Sequence, residues 1–183
     1  IDPFGERHFG PGMQGQEKYV KLLDRNYASP NKYVNMPDLK KSTTQRQIME
    51  TFFLGYQAFT AKPDEILARR GLSRVHHRIL FFIGSYPNLN VKELLGYLGV
   101  SKQALNIPLR QLVEMHLVES LPAEEDKRKR ILRFTAEGAK LEQQLRREQV
   151  RLLEKVFAEI GEQAVESWLA VNHSLSVRGH KHR

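Results

Sequence analysis

The chain has 183 residues, 40% of them hydrophobic, enough for one packed domain with an extension. Its 29 Lys and Arg against 21 Asp and Glu leave a formal charge of +8, which favours a polyanionic partner such as nucleic acid or an acidic membrane surface. No apolar run reaches the roughly 18 residues that a membrane span needs, and the lack of cysteine excludes disulfides, thiolate zinc sites and cysteine-based redox switches.

Residues 1–12, IDPFGERHFGPG, have the Gly- and Pro-rich look of a leader ahead of a natural start at Met13. Residues 13–42 form a polar arm. Tyr19, Val20, Leu22 and Leu23 predict one short helix at 16–25, and Pro30 and Pro37 keep the remainder extended. From 43 to 70 the pattern is helical, with Ile48, Phe52, Phe53, Tyr56 and Phe59 at three- and four-residue steps. Pro63, followed by Asp64 and Glu65, reads as the first turn of a second short helical piece ending before Gly71. Ser73 can cap a helix carrying Val75, Ile79, Leu80, Phe82 and Ile83, which YPN at 86–88 terminates.

Leu94, Leu95 and Leu98 then make one short apolar face and Gly99 breaks it. Ser101 caps a second helix with Leu105, Leu109, Leu112 and Val113 inward. Two short helices joined by a tight glycine turn are a helix-turn-helix. Downstream, LPAEEDKRKRILRFT sets an acidic and then a basic run between two short apolar stretches, Leu117, Val118 and Leu121 on one side and Leu132 and Phe134 on the other. By itself such a run is a solvated loop, but its flanks alternate as strands do, so the basic run is the tip of a β-hairpin. A helix-turn-helix followed by such a hairpin is a winged helix, whose second helix enters the major groove while the tip reaches backbone or minor groove. Asp126 can pair with Arg128 or Arg130 and aim the guanidinium. The fold class is therefore mainly α (α+β), a winged helix-turn-helix DNA-binding domain over 71–135 with N- and C-terminal helices as a dimerisation region.

Beyond the wing, Thr135 can cap a long helix bearing Leu141, Leu145, Leu152, Val156 and Ile160. A last helix over 162–177 carries Val165, Trp168, Leu169 and Leu175, and 179–183 is a basic tail. These apolar residues form either a longer internal core or, the favoured reading, a homodimer interface made by 136–178, with Leu152, Val156, Val165, Trp168 and Leu169 in the seam. Two recognition helices roughly 34–36 Å apart would then read a palindrome in double-stranded DNA.

Gln103, Asn106 and Arg110 lie on one stripe opposite the leucines, with Ser101 and Lys102 at the helix start. Arg110 suits guanine and Gln103 or Asn106 adenine, whereas Lys127, Lys129 and Arg130 suit phosphates; all of them as merely solvated positions is the alternative. The adjacent His76 and His77 point about 100° apart on a helix and share no small ion easily, so no metal is expected. No Gly-rich phosphate loop, metal spacing or nucleophile motif is present, so neither a cofactor nor catalytic residues are expected and the chain is not read as an enzyme.

Across roughly 45–178 the sequence resembles the MarR family of bacterial transcription regulators, through LSRVHHRIL, ELLGYLGVSKQAL, HLVES and DKRKRILRFTAEGAKL. The family's Asp-x-Arg wing and following Leu-Thr-x-x-Gly match Asp126, Arg128, Phe134, Thr135 and Gly138. The resemblance implies an obligate dimer with Arg128 in the minor groove, and it places His77 near a ligand cleft. Phe53, Tyr56 and His77 would line that cleft for an aromatic or phenolic acid, with Arg78 for its anionic group; the same aromatics also suit an ordinary core. The sequence departs from the family at Pro108, inside the recognition helix, at Asn106 and Ile107, where a Thr-Arg pair is common, and at His116, where glycine commonly ends the helix. The expected function is a cytoplasmic, nucleoid-associated repressor released by a small aromatic ligand. A winged helix used for protein contact, or a regulator controlled by a protein antirepressor, is the alternative.

Overall fold

The computed structural model describes residues 40–124 and 126–180. The leader, the helix expected at 16–25 and the end of the basic tail lie outside these residues. In chain order the elements are α1 Ser42–Ala68, α2 Arg74–Ser85, α3 Val91–Leu98, α4 Lys102–Glu114, β1 Val118–Pro122, β2 Arg130–Phe134, α5 Ala136–Ile160 and α6 Glu162–His180. Residues 49–156 form one compact unit, and 40–48 with 157–180 belong to a second.

The larger unit holds the hydrophobic core. Leu67 from α1, Ile79 and Leu80 from α2, Leu94 from α3, Leu105 and Leu112 from α4, Val118 and Leu132 from the hairpin, and Leu141 and Leu145 from α5 are almost wholly buried together. At about 1.5–3 kcal/mol for each large apolar side chain removed from water, this cluster is what folds the unit. Local chemistry sets where each helix stops. Asn90 accepts the Glu93 N–H, and the Glu93 carboxylate accepts the Asn90 N–H in return, so a capping box opens α3. Gly99, in the left-handed region at φ 65°, ends that helix. Tyr86 stacks on Tyr97 with ring centroids 4.3 Å apart, and Phe82 lies 5.2 Å from Tyr97, closing the end of α2 against α3.

One expectation about helix breaks fails. Pro63 does not start a new piece; α1 is one helix of 27 residues with Pro63 inside it. Proline deprives the Phe59 carbonyl of its usual donor, but Pro63 is buried on the same face as Thr60 and Leu67, and that packing offsets the lost bond. Pro108 likewise sits buried within one continuous helix, α4.

The hairpin pairs Val118 with Phe134, Ser120 with Leu132 and Pro122 with Arg130, antiparallel. It joins the helical body through an isolated bridge from Asn90 to Ile131 and a 2.8 Å bond from the Leu132 N–H to the Leu89 carbonyl. From Phe134 the chain turns directly into α5, whose first turn is pressed onto the start of β1. A Cβ added at Gly138 would stand 1.8 Å from the Leu117 carbonyl oxygen and 2.8 Å from its carbon, both backbone atoms that cannot step aside. Gly138→Ala should therefore destabilise the chain by about 2–3 kcal/mol in urea unfolding, although alanine is the better helix former; an unchanged midpoint would mean that α5 starts elsewhere.

Candidate nucleic-acid interface

Helix α4 is built to present one face. The Ser101 hydroxyl accepts the Ala104 N–H at 3.2 Å and fixes the first turn. Leu105, Pro108 and Leu112 are buried, which leaves Lys102, Gln103, Asn106, Ile107 and Arg110 exposed along the opposite side. Ile107 is 68% exposed in the middle of this polar stripe. The Arg110 guanidinium lies 3.5 Å from the Glu114 carboxylate one turn on, both side chains in water, so the pair holds the arginine only weakly. The helix ends as a Schellman motif, with the His116 N–H on the Val113 carbonyl and the Leu117 N–H on that of Leu112. His116 takes the left-handed conformation that usually calls for glycine, at φ 55°. At this departure from the family pattern, histidine holds the conformation that glycine would take.

The hairpin tip sorts its charged residues into two kinds. Asp126 does not aim a guanidinium. Its carboxylate accepts the backbone N–H of Arg128 at 3.0 Å, while its carbonyl accepts the Lys129 N–H at 2.9 Å, so the aspartate shapes the turn itself. Arg130 reaches across the hairpin to the Ser120 carbonyl and hydroxyl. Arg133 holds Asn88 Oδ1 through Nε and Nη2 at 3.2 and 2.9 Å. Lys127, Arg128 and Lys129 are exposed, and among the described residues none of them forms an ion pair. Arg130 thus belongs with the bracing residues, a sorting that charge and spacing alone could not make.

Of the residues expected to line a ligand cleft, Tyr56 and His77 come near common neighbours. Arg74 lies over the Tyr56 ring, 5.3 Å from its centroid, and grips the Asp64 carboxylate with Nε and Nη2. Asp64 and Arg74 also act on His77, which is buried and bonded to Gln149. Arg78 turns away: its Nη2 donates to the Leu98 carbonyl at 2.7 Å and caps the C-terminal end of α3. The cation beside the aromatic ring is Arg74, four residues earlier and so one helical turn away, a position the sequence reading passed over. Phe53 is 68% exposed and packs edge-on to Phe52, so in the single chain it is not core.

Of the residues expected in a dimer seam, Leu152, Val156 and Val165 are half-buried, while Trp168 is 48% exposed and Leu169 is exposed. Phe157 meets the Trp168 ring edge to face at 6.2 Å. Among the described residues, no helix is long and apolar enough to cross a membrane.

Comparison with known proteins gives this geometry its context. The chain is 42% identical over 120 residues to the HTH-type transcriptional regulator PetP of Rhodobacter capsulatus, covering 66% of this chain and 72% of that protein. A family model described as MarR family matches residues 70–129, from the turn after α1 to the hairpin tip. The chain belongs to the MarR family. Staphylococcus aureus MarR, solved with salicylate and kanamycin, superposes with a TM-score of 0.63 at 19% identity, over 79% of this chain and 98% of that one. A MepR variant from S. aureus, bound to an oligodeoxyribonucleotide, gives 0.50 at 16% identity over 71% and 96%. At those identities the two structures speak for the fold: the winged helix-turn-helix expected from the sequence. This MarR-family chain is a DNA-binding transcription regulator and not an enzyme.

Burial holds the pKa of both histidines of α2 down: in His76 the bonds to Gln111 and Ser73 oppose it, and in His77 Asp64 and Gln149 oppose it while Arg74 assists. A histidine with a lowered folded pKa resists a proton that the unfolded chain accepts. Stability is therefore complete above the unfolded value of about 6.5 and is lost as pH falls below it. Urea midpoints measured across that range should drop on the acid side, and His77→Gln should flatten the drop; an equal slope in the variant would place the acid sensitivity elsewhere.

Proposed function

We propose that the chain acts as a homodimer on a palindromic double-stranded operator, as a repressor that a small aromatic or phenolic acid releases. The observation that carries the reading is the pairing, within one unit, of an outward polar stripe on α4 with a hairpin tip whose cations Lys127, Arg128 and Lys129 project without a carboxylate partner among the described residues. Gln103, Asn106 and Arg110 address base edges in the major groove, with Arg110 leaving Glu114 for guanine. Ile107 supplies an apolar contact, whose natural partner in that groove is the thymine methyl. Ser101, Lys102, Lys127 and Lys129 meet phosphates, Arg130 does so only with the donors that Ser120 leaves over, and Arg128 enters the minor groove. Such a protein works in the bacterial cytoplasm, at the nucleoid.

Dimerisation is supported by apolar side chains that stay largely exposed among the described residues: Phe52, Phe53 and Leu54 on α1, and Trp168, Leu169 and Leu175 on α6. Exposed apolar stretches of this extent mark association surfaces. For the ligand, Tyr56 offers a ring face and Arg74 a guanidinium for a carboxylate, which would displace Asp64 and loosen the tie between α1 and α2.

Arg128→Ala should weaken binding to the selected operator by at least about tenfold, or about 1.4 kcal/mol, with the dimer intact. Lys127→Ala should weaken all duplexes alike and lower the salt slope by about one unit. Titrations of operator and random duplex at matched salt check both, and an Arg128→Ala protein with undiminished operator affinity would remove the wing from the reading.

Trp168→Asp would set a charge into the seam. Light scattering should then report a monomer; a persistent dimer would move the interface away from α6.

A further inference from the structure

The flank of α4, about 100° round from Arg110, is tied to the start of α2 by hydrogen bonds whose direction is forced. Gln111 Nε2 donates to the Gly71 carbonyl at 3.2 Å. The opposite amide orientation would set two acceptors against each other, so Gln111 Oε1 must be the atom facing His76. His76 Nε2, 3.0 Å from that oxygen, therefore carries the imidazole proton. Nδ1 is left bare, and it accepts the backbone N–H of Ser73 at 3.0 Å, closing a capping box at the first turn of α2. The ring is 5% exposed. Its polar partners, Ser73 from the helix start and Gln111 from α4, are both neutral, while Asp64 and Arg74 bear on the neighbouring His77 instead.

We propose that His76, neutral and in its Nε2–H form, is the positioning residue of the recognition helix, setting through Gln111 the angle at which α4 is offered to DNA. The proposal rests on α4 being the DNA-facing helix. A second proton works against this chain of bonds: an Nδ1–H would face the Ser73 N–H, donor against donor, and its acceptor would be the Ser73 hydroxyl 3.1 Å away, so the capping box opens and the ring shifts where Gln111 holds it. Duplex binding thereby acquires an acid limb that originates behind the helix, away from every residue that touches DNA. Gln at this position would reproduce the bonds without the titration, because its Oε1 is the usual capping-box acceptor and its Nε2 a donor toward Gln111.

The test compares the full chain with His76→Gln, His76→Ala and Gln111→Leu, measuring operator affinity by fluorescence anisotropy at about pH 7.5 and about pH 5.5, either side of the ordinary imidazole value. At the higher pH, His76→Ala and Gln111→Leu should each lose about tenfold, and the double variant no more than either alone, because both cut one link. His76→Gln should stay within about twofold of the parent at the higher pH and lack the parent's acid limb. A folded His76→Ala protein with parental affinity, or a His76→Gln protein with the parental acid limb, would overturn the proposal. If His76→Ala does not fold, Gln111→Leu, which leaves the capping box intact, decides the matter by the same loss or its absence. Nitrogen-15 spectra of the imidazole keep the two levels of the inference apart. An Nε2–H ring at neutral pH in a chain that binds no duplex would sink the DNA-facing reading and leave the bonds standing, whereas an Nδ1–H or protonated ring would sink the bonds themselves.

Discussion

The carbonyl group of Leu117 is the point on which the DNA-binding unit turns. The chain ends α4 at Glu114, begins β1 at Val118 and returns from Phe134 of β2 into α5 at Ala136, and all three events meet there. The Leu117 N–H closes the Schellman motif on the Leu112 carbonyl, and the Leu117 carbonyl accepts the Thr135 N–H at 3.2 Å. The Thr135 hydroxyl donates to the His116 carbonyl at 2.6 Å and accepts the Gly138 N–H at 3.1 Å, so one side chain closes the hairpin and caps the long helix. Gly138 has no Cβ because its backbone passes directly over that carbonyl. The Thr-x-x-Gly spacing is thus a joint: a cap three residues ahead of a close approach. It fixes the wing relative to the recognition helix, which a two-stranded hairpin could not do alone.

With the wing rooted in this way, the charges at its tip divide by what the backbone asks of them. Arg133 on Asn88 and Arg130 on Ser120 hold the hairpin to the body and to itself. Asp126 satisfies two donors in the turn, one through its carboxylate and one through its carbonyl. Lys127, Arg128 and Lys129, between these braces, are the cations left to act outward. A run that reads as uniform positive charge in the sequence is therefore part scaffold and part outward-facing charge, and fewer of its cations point outward than a count would suggest.

Features set by periodicity and by short-range chemistry are legible in the sequence. The helix-turn-helix, the strands of the hairpin, the caps at Ser101 and Thr135 and the left-handed His116 each show in the pattern or chemistry of residues a few positions apart. The features that stayed hidden depend on partners distant in the chain. Pro63 looked like a break because its lost hydrogen bond is local, whereas the core that Leu67, on the same face, joins is assembled from distant parts of the chain. Arg78 looked like the ligand cation because it is adjacent to His77, yet one step of about 100° along a helix sends its neighbour to another face, where the α3 carbonyls wait. Arg74, just over a full turn before Arg78, is drawn instead to Asp64, ten residues back across the α1–α2 turn. Gln111 gave no signal, since an amide among helix residues looks solvated until Gly71 and His76 are brought beside it.

These ties also constrain how DNA binding can be controlled. Helix α4 is capped by Ser101 at one end, closed by the His116 turn at the other and bonded through Gln111 on its flank, so it has little freedom to change shape on its own. A signal that alters DNA affinity has to act on what α4 is fastened to. Besides the joint at Leu117, the fastening through Gln111 leads to one place: Gly71, Ser73 and His76 form the entrance to α2, and Arg74, in the same turn, holds Asp64 of α1. A ligand carboxylate that took Arg74 from Asp64 and a proton that took His76 from Ser73 would disturb the same first turn of α2 by different chemistry. One short segment, GLSRVH at 71–76, is therefore where the α1 tie and the recognition-helix tie come together, although none of its residues lies on α4.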